Sequence, residues 1–177
     1  MKRPAFFSFH YANDAWRAAL VRNIGAVEGT EPVSANDWEA VKRGGDRAIA
    51  NWIESQLKYK QIVIVLVGSQ TALRPWVRYE IKRAWELDKP LMGIRIHGLA
   101  DREGKTSSPG QNPFALVNIP KTNMTMEMWV PFCEPWSFGT TKDCYNDIRV
   151  NLSTWVEQAI QVHSTQKSLL KLYQTGG

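Results

Sequence analysis

A chain of 177 residues with 44% hydrophobic and 22% charged side chains has the composition of an ordinary globular domain, long enough to bury a sizeable core. Its formal charge of +5 is spread through short Lys-Arg pairs (Lys2-Arg3, Lys42-Arg43, Lys82-Arg83) rather than gathered in the stripe or tail more usual of a nucleic-acid protein; the charge by itself permits a nucleic acid or a phosphate-bearing small molecule, and no nucleic-acid partner is expected. Ile62–Val67 is the longest strongly apolar run, roughly a third of a membrane span, and Ala5–Phe9 is too short for a signal-peptide core, so a soluble cytoplasmic protein is expected.

The elements follow in chain order. Ala5–His10 is aromatic and nearly continuous, which suits a buried first strand. Asn13 or Asp14 is placed to cap a helix in which Trp16, Ala19, Leu20 and Ile24 recur at helical spacing. Glu28–Gly45 carries turn residues and no periodic face, and reads as a long loop with a short strand just before it near Gly25–Val27. Asp46 opens a helix to about Tyr59, with Ile49, Trp52, Ile53 and Leu57 on one face. Ile62–Val67 is β-branched and uninterrupted, the signature of a central strand covered on both sides.

Gly68-Ser69-Gln70-Thr71 turns the chain, and Pro75 stands where a first helical residue is expected, in a helix to about Leu87. Leu91–Ile96 is the next strand, and Gly98–Gln111 is polar and glycine-bearing, expected to form a flexible loop. Met126–Phe132 is the candidate for a last strand. Lys142–Gln161 reads as a last helix with Ile148, Leu152, Trp155, Val156 and Ala159 inward. Residues 1–162 form the expected domain, and 163–177 a C-terminal tail, expected to be loosely attached. Strands alternating with helices imply a three-layer α/β fold, a flavodoxin-like parallel sheet with helices on both faces.

In such a sheet ligands bind beyond the carboxyl ends of the strands, near the switch point of strand order. His10–Asp14, Gly68–Arg74 and the loop after Ile96 leave those ends. Glu80 lies near the start of the helix after the central strand, and Trp76, four residues earlier, shares one of its faces. On pattern alone Glu80 reads first as a helix carboxylate favoured by the dipole or paired with Arg83, and Trp76 as a packing residue, so neither carries a claim unaided. The sequence holds no P-loop, no glycine-rich dinucleotide fingerprint, no serine-nucleophile elbow and no His/Cys metal spacing, so no metal is expected. Cys133 and Cys144 lack redox or knuckle spacing and are expected as free thiols.

The motif order resembles a TIR domain. Phe6-Phe7-Ser8-Phe9-His10-Tyr11 is similar to that family's first strand and turn. Ile62–Val67 with Gly68-Ser69 is similar to its third strand and small-residue turn, and Trp76-Val77-Arg78-Tyr79-Glu80 to its Trp-x-x-x-Glu motif. The His10-Tyr11-x-Asn13-Asp14 start resembles the bacterial group that includes the sensor components of Thoeris anti-phage systems. The match covers about residues 4–97. The Arg-Asp-x-x-Pro-Gly loop of animal receptors is missing, and Lys42-Arg43-Gly44-Gly45 stands in its region, which favours enzymatic use of the crevice over receptor-adaptor signalling.

The resemblance implies an NAD-cleaving enzyme that takes NAD as substrate and needs no other cofactor. Glu80 would be its catalytic carboxylate; Phe9, His10, Ser69 and Trp76 would contact substrate, and Arg43 would be a candidate phosphate contact. It further implies a cyclic ADP-ribose isomer as the signal, a homo-oligomer on activation and a separate effector as functional partner. The alternatives are a non-catalytic TIR-like scaffold and a flavodoxin-like nucleotide-binding protein with a structural Glu80.

Overall fold

The computed structural model describes residues 2–29 and 35–175. Five strands form one all-parallel sheet: β1 (Pro4–Ser8), β2 (Glu28–Gly29), β3 (Ile62–Val67), β4 (Leu91–Arg95) and β5 (Phe132–Cys133). Their order is β2-β1-β3-β4-β5, so the direction of winding reverses between β1 and β3. The helices are α1 (Tyr11–Asn23), α2 (Ala35–Arg43), α3 (Gly45–Leu57), α4 (Pro75–Glu86) and α5 (Thr141–Thr175). This is the flavodoxin-like three-layer arrangement expected of a TIR-like chain.

All six residues of β3 are buried, and their alternation builds two cores. Ile62, Ile64 and Leu66 pack with Ala18 and Val21 of α1 and with Ile148, Leu152 and Val156 of α5. Val63, Val65 and Val67 pack with Ile49, Ile53 and Leu57 of α3 and with Val77, Ile81 and Ala84 of α4. A strand enclosed on both faces has no polar side to give, which is why its sequence shows no alternation.

Several expectations are corrected. Asp14 lies within the first turn of α1 rather than capping it; His10 is the cap residue and makes no side-chain cap bond. The buried stripe of α1 is Asp14, Arg17, Ala18 and Val21, while Trp16 is half exposed, because a charged pair occupies the inward face. Part of the expected loop Glu28–Gly45 is helical. Helix α2 packs on α3, with Val41 partly buried against the core. Residues 30–34 of that stretch lie outside the described residues.

The short strand follows Gly25 by three residues, as β2, rather than spanning Gly25–Val27; Gly25, at φ +72°, makes the reversal after α1. Met126–Met128 is a 3-10 turn, and only Phe132–Cys133 pairs with β4. Helix α5 does not stop near Gln161 but runs through the residues set apart as a tail. Leu170 is buried, and His163 (3.0 Å) and Lys167 both pair with Asp88 just past α4.

Among the described residues no helix is long and apolar enough to cross a membrane. Cys133 and Cys144 are free, and burial raises both thiols to about 11, so neither is a thiolate at neutral pH.

Candidate active site

The site sits at the carboxyl edge of β1 and β3, where the winding reverses. Ser8 ends β1 in register with Val65 of β3 and, two residues after Phe6, shares that residue's face, the one covered by α4. Ser8 is 1% exposed. On α4, Val77, Ile81 and Ala84 lie against the sheet and fix the helix's rotation, which carries Glu80 down to the strand ends at 8% exposure. The Ser8 hydroxyl donates to Oε2 of Glu80.

Burial pushes the Glu80 carboxyl up to about 8, opposed only by the Ser8 hydrogen bond. Arg83, the expected structural partner one turn on, is engaged elsewhere: it pairs with Glu54 of α3 and with Glu86 (2.7 Å). Glu80 is therefore not a helix-surface ion-pair residue. It is a sealed carboxyl poised between its neutral and ionised forms, the kind of perturbed group that gathers at functional sites.

Beside this pair the chain leaving β1 forms a second layer. His10 is buried and its Nδ1 has no partner; burial, then the nearby Arg74, lower its pKa, while Asp14 opposes them. The Asp14 carboxylate lies directly against Gly68, where any side chain would collide with it. Burial raises the Asp14 pKa, and Arg17, its partner at 2.9 Å, works against that rise.

Arg17 reaches further. Its Nε donates to the carbonyl of Leu99 and its Nη2 to that of Lys105, both at 2.9 Å, which pins the loop after β4 to α1. The same loop returns over the crevice. Gly110 packs on the backbone of Gly68 and Ser69, so closely that a Cβ at 110 would strike the Gly68 carbonyl, and Arg95 donates to the Gly110 carbonyl. Residues 98–105 and 110 are thus fastened at both ends, where the sequence suggests a flexible polar loop.

The structure brings Glu80, His10 and Ser69 to one edge of the sheet. Trp76 stands one turn before Glu80, half-buried, with its ring edge-on to Tyr79 at 5.4 Å. Two other candidates are placed elsewhere. Phe9 alternates to the opposite face, where it packs on the α1–α5 core and stacks on Tyr11 at 6.2 Å. Arg43 is exposed at the end of α2, and no described hydrogen bond or ion pair ties it to Ser8 or Glu80.

Sequence reasoning missed Ser8 and Arg17 as parts of the site. The signal for Ser8 was available: a single hydroxyl in phase with Phe6 inside an otherwise aromatic strand. For Arg17 the only signal was its i, i+3 spacing from Asp14. Among the described residues no group of three or more His, Cys, Asp or Glu is placed to hold a metal ion.

Residues 6–101, more than half of the chain, match the family described as Thoeris protein ThsB, TIR-like domain. A protein of Bacillus cereus (strain MSX-D12) named "Putative cyclic ADP-D-ribose synthase ThsB1" is 36% identical over 119 residues. That match covers 64% of this chain and 62% of the relative, so the chain spans under two thirds of the relative's length. The matched family segment contains both Ser8 and Glu80 and ends within the loop that Arg17 pins.

Proposed function

The chain belongs to the TIR-like domain family of Thoeris protein ThsB, and from that premise we propose that it is an NAD-processing enzyme that cleaves the nicotinamide–ribose bond at Glu80. The observation that carries the reading is the Ser8–Glu80 pair: a buried carboxyl, in no salt bridge among the described residues, at the switch point of a parallel sheet. The name of the Bacillus cereus relative supports a cyclic ADP-ribose isomer as product.

The chemistry follows from charge. In NAD the nicotinamide nitrogen is cationic, so the C1′–N bond breaks with its electron pair passing to nitrogen, and nicotinamide leaves neutral without a proton donor. The positive charge moves to the ribose ring in an oxocarbenium-like transition state. An ionised Glu80 below the ring stabilises that charge, and in a water-poor crevice such an interaction is stronger than in bulk solvent. The substrate also prepares its own catalyst, because a cation brought beside a buried carboxyl lowers its pKa.

Capture of C1′ completes the reaction. Water gives ADP-ribose, whereas a ring nitrogen or hydroxyl of the same molecule gives a cyclic isomer, and either route releases one proton. Internal capture gains from proximity, for which effective molarities of roughly 10⁵–10⁸ M are attainable in well-oriented systems. The loop fastened over Gly68 supports cyclisation by restricting water. Trp76, His10 and Ser69 are the substrate contacts in this reading. Phe9 and Arg43 retain a role only if substrate or a second subunit reaches them.

NAD is consumed as substrate, and bond heterolysis calls for no redox cofactor. The enzyme acts in the cytoplasm, assembles on activation, and its nucleotide product signals to a separate effector in anti-phage defence. The test is to incubate the protein with NAD and separate the products chromatographically. A nicotinamide peak matched by a cyclic isomer supports the full reading. ADP-ribose alone restricts it to hydrolysis, and intact NAD with assembled protein favours a scaffold.

A further inference from the structure

We propose that Ser8 is a positioning residue for the Glu80 carboxylate: its hydroxyl fixes the side chain against the end of β1 and supplies the hydrogen bond that lets the group carry charge inside the crevice. This rests on the reading of Glu80 as the catalytic carboxylate and names the residue that acts through it.

A serine is out of place in β1 on packing grounds. The strand is Pro4-Ala5-Phe6-Phe7-Ser8, its residues 5, 6 and 8 are buried, and a buried hydroxyl without a partner is costly. An alanine or valine would suit the position better unless the hydroxyl has work to do. Its one described side-chain bond goes across to α4, to Glu80.

Glu80 in turn has no other help. Arg83, one turn on, is turned to Glu54 and Glu86, and no charged group among the described residues pairs with Glu80 or shifts its ionisation. The influences on its ionisation are burial, which disfavours the charged form, and Ser8, which favours it. A hydrogen bond donated to a carboxylate is also directional, and Ser8 is anchored in a strand that is itself in register with β3. The hydroxyl thus sets both where Oε2 lies and how readily the group ionises.

The experiment is steady-state nicotinamide release from NAD across pH 5–9 for wild type, Ser8→Ala, Ser8→Thr and the Ser8→Ala/Glu80→Gln pair, with a thermal melt of each. A charged hydrogen bond of ordinary strength predicts that Ser8→Ala loses roughly ten- to a hundredfold in kcat. Its KM stays nearly unchanged, and its pH–rate limb moves to higher pH. Ser8→Thr, which keeps the hydroxyl, recovers most of the rate. In the Glu80→Gln background Ser8→Ala costs nothing further, because the group it positions is already gone.

A folded Ser8→Ala with the wild-type kcat and pH limb overturns the proposal, as does an equal loss in both backgrounds. If Ser8→Ala fails to fold, a Ser8→Thr protein that folds but is as slow as Glu80→Gln overturns it. A wild type that releases no nicotinamide overturns the functional reading itself, a result distinct from these.

Discussion

Replacing Glu80 with glutamine should cost activity and gain stability, and the gain should depend on pH in a way that only this carboxyl explains. The folded protein holds Glu80 at about 8 against an ordinary value of 4.5. Below about pH 4.5 the group is protonated in the folded and unfolded chains alike, and it then contributes no difference. Between about 4.5 and 8 the unfolded chain has released the proton while the folded chain keeps it. The unfolded state therefore binds fewer protons there, and wild-type stability falls as pH rises.

At 1.36 kcal/mol per unit the penalty is about 3 kcal/mol at pH 7 and about 5 kcal/mol above pH 8. Both figures are upper bounds, because the crevice relaxes when the charge forms. Glutamine has nearly the same shape, still accepts from Ser8 and never ionises. Its amide brings at most a constant offset of about 1–3 kcal/mol if an N–H goes unpartnered. Urea unfolding of both proteins at pH 4.5, 7 and 9 isolates the slope, since every other titrating group is common to the two. The Glu80→Gln advantage should grow by several kcal/mol from pH 4.5 to 9. A difference that stays flat over that range would refute the buried, unpaired carboxyl on which the site rests.

Three further outcomes are expected. Wild-type nicotinamide release should rise with pH along a limb at or below 8, because the ionised form of Glu80 is the useful one and the cationic substrate draws its pKa down; a rate that falls through pH 6–8 would contradict this. Arg17→Ala leaves the buried Asp14 without its partner and should cost about 3–5 kcal/mol, read by urea unfolding. Faster amide exchange at Lys105, whose amide donates to Asp101 in the pinned loop, should accompany it. Gly110→Ala forces a Cβ into the Gly68 carbonyl, and the backbone shift should cost about 1–3 kcal/mol in stability and lower kcat.

The parts of the fold that sequence reveals are those where one physical signal acts alone. In β3 burial on both faces leaves an unbroken apolar run, and in α4 Pro75 marks the first turn while Val77, Ile81 and Ala84 mark the inward face. Where two demands compete, the signal fails. Helix α1 spends much of its inward face on Asp14 and Arg17 to hold a loop, so of the apolar stripe read from the sequence Leu20 and Ile24 pack on the core while Trp16 is left half exposed. The far part of α5 is held by one buried leucine, Leu170, and by His163 and Lys167 reaching Asp88, contacts made across the chain that leave only a faint local pattern.

The site divides in the same way. The place of Glu80 beyond the central strand is legible because it depends on one strand and one helix, whereas its chemical role comes from the family resemblance and not from the local pattern. Ser8 and Gly110 act across chain separations of 72 and 42 residues, on Glu80 and Gly68 respectively, which no local pattern records.

The most direct test of the central claim is nicotinamide release from NAD by the wild type and by Glu80→Gln, side by side, at a pH near 8 and at equal, verified folding. Wild type should release nicotinamide, and the variant should retain roughly a hundredth to a thousandth of that rate, the loss typical of removing one preorganised electrostatic stabiliser. Equal release by the two proteins would contradict the assignment of Glu80 as the catalytic carboxylate.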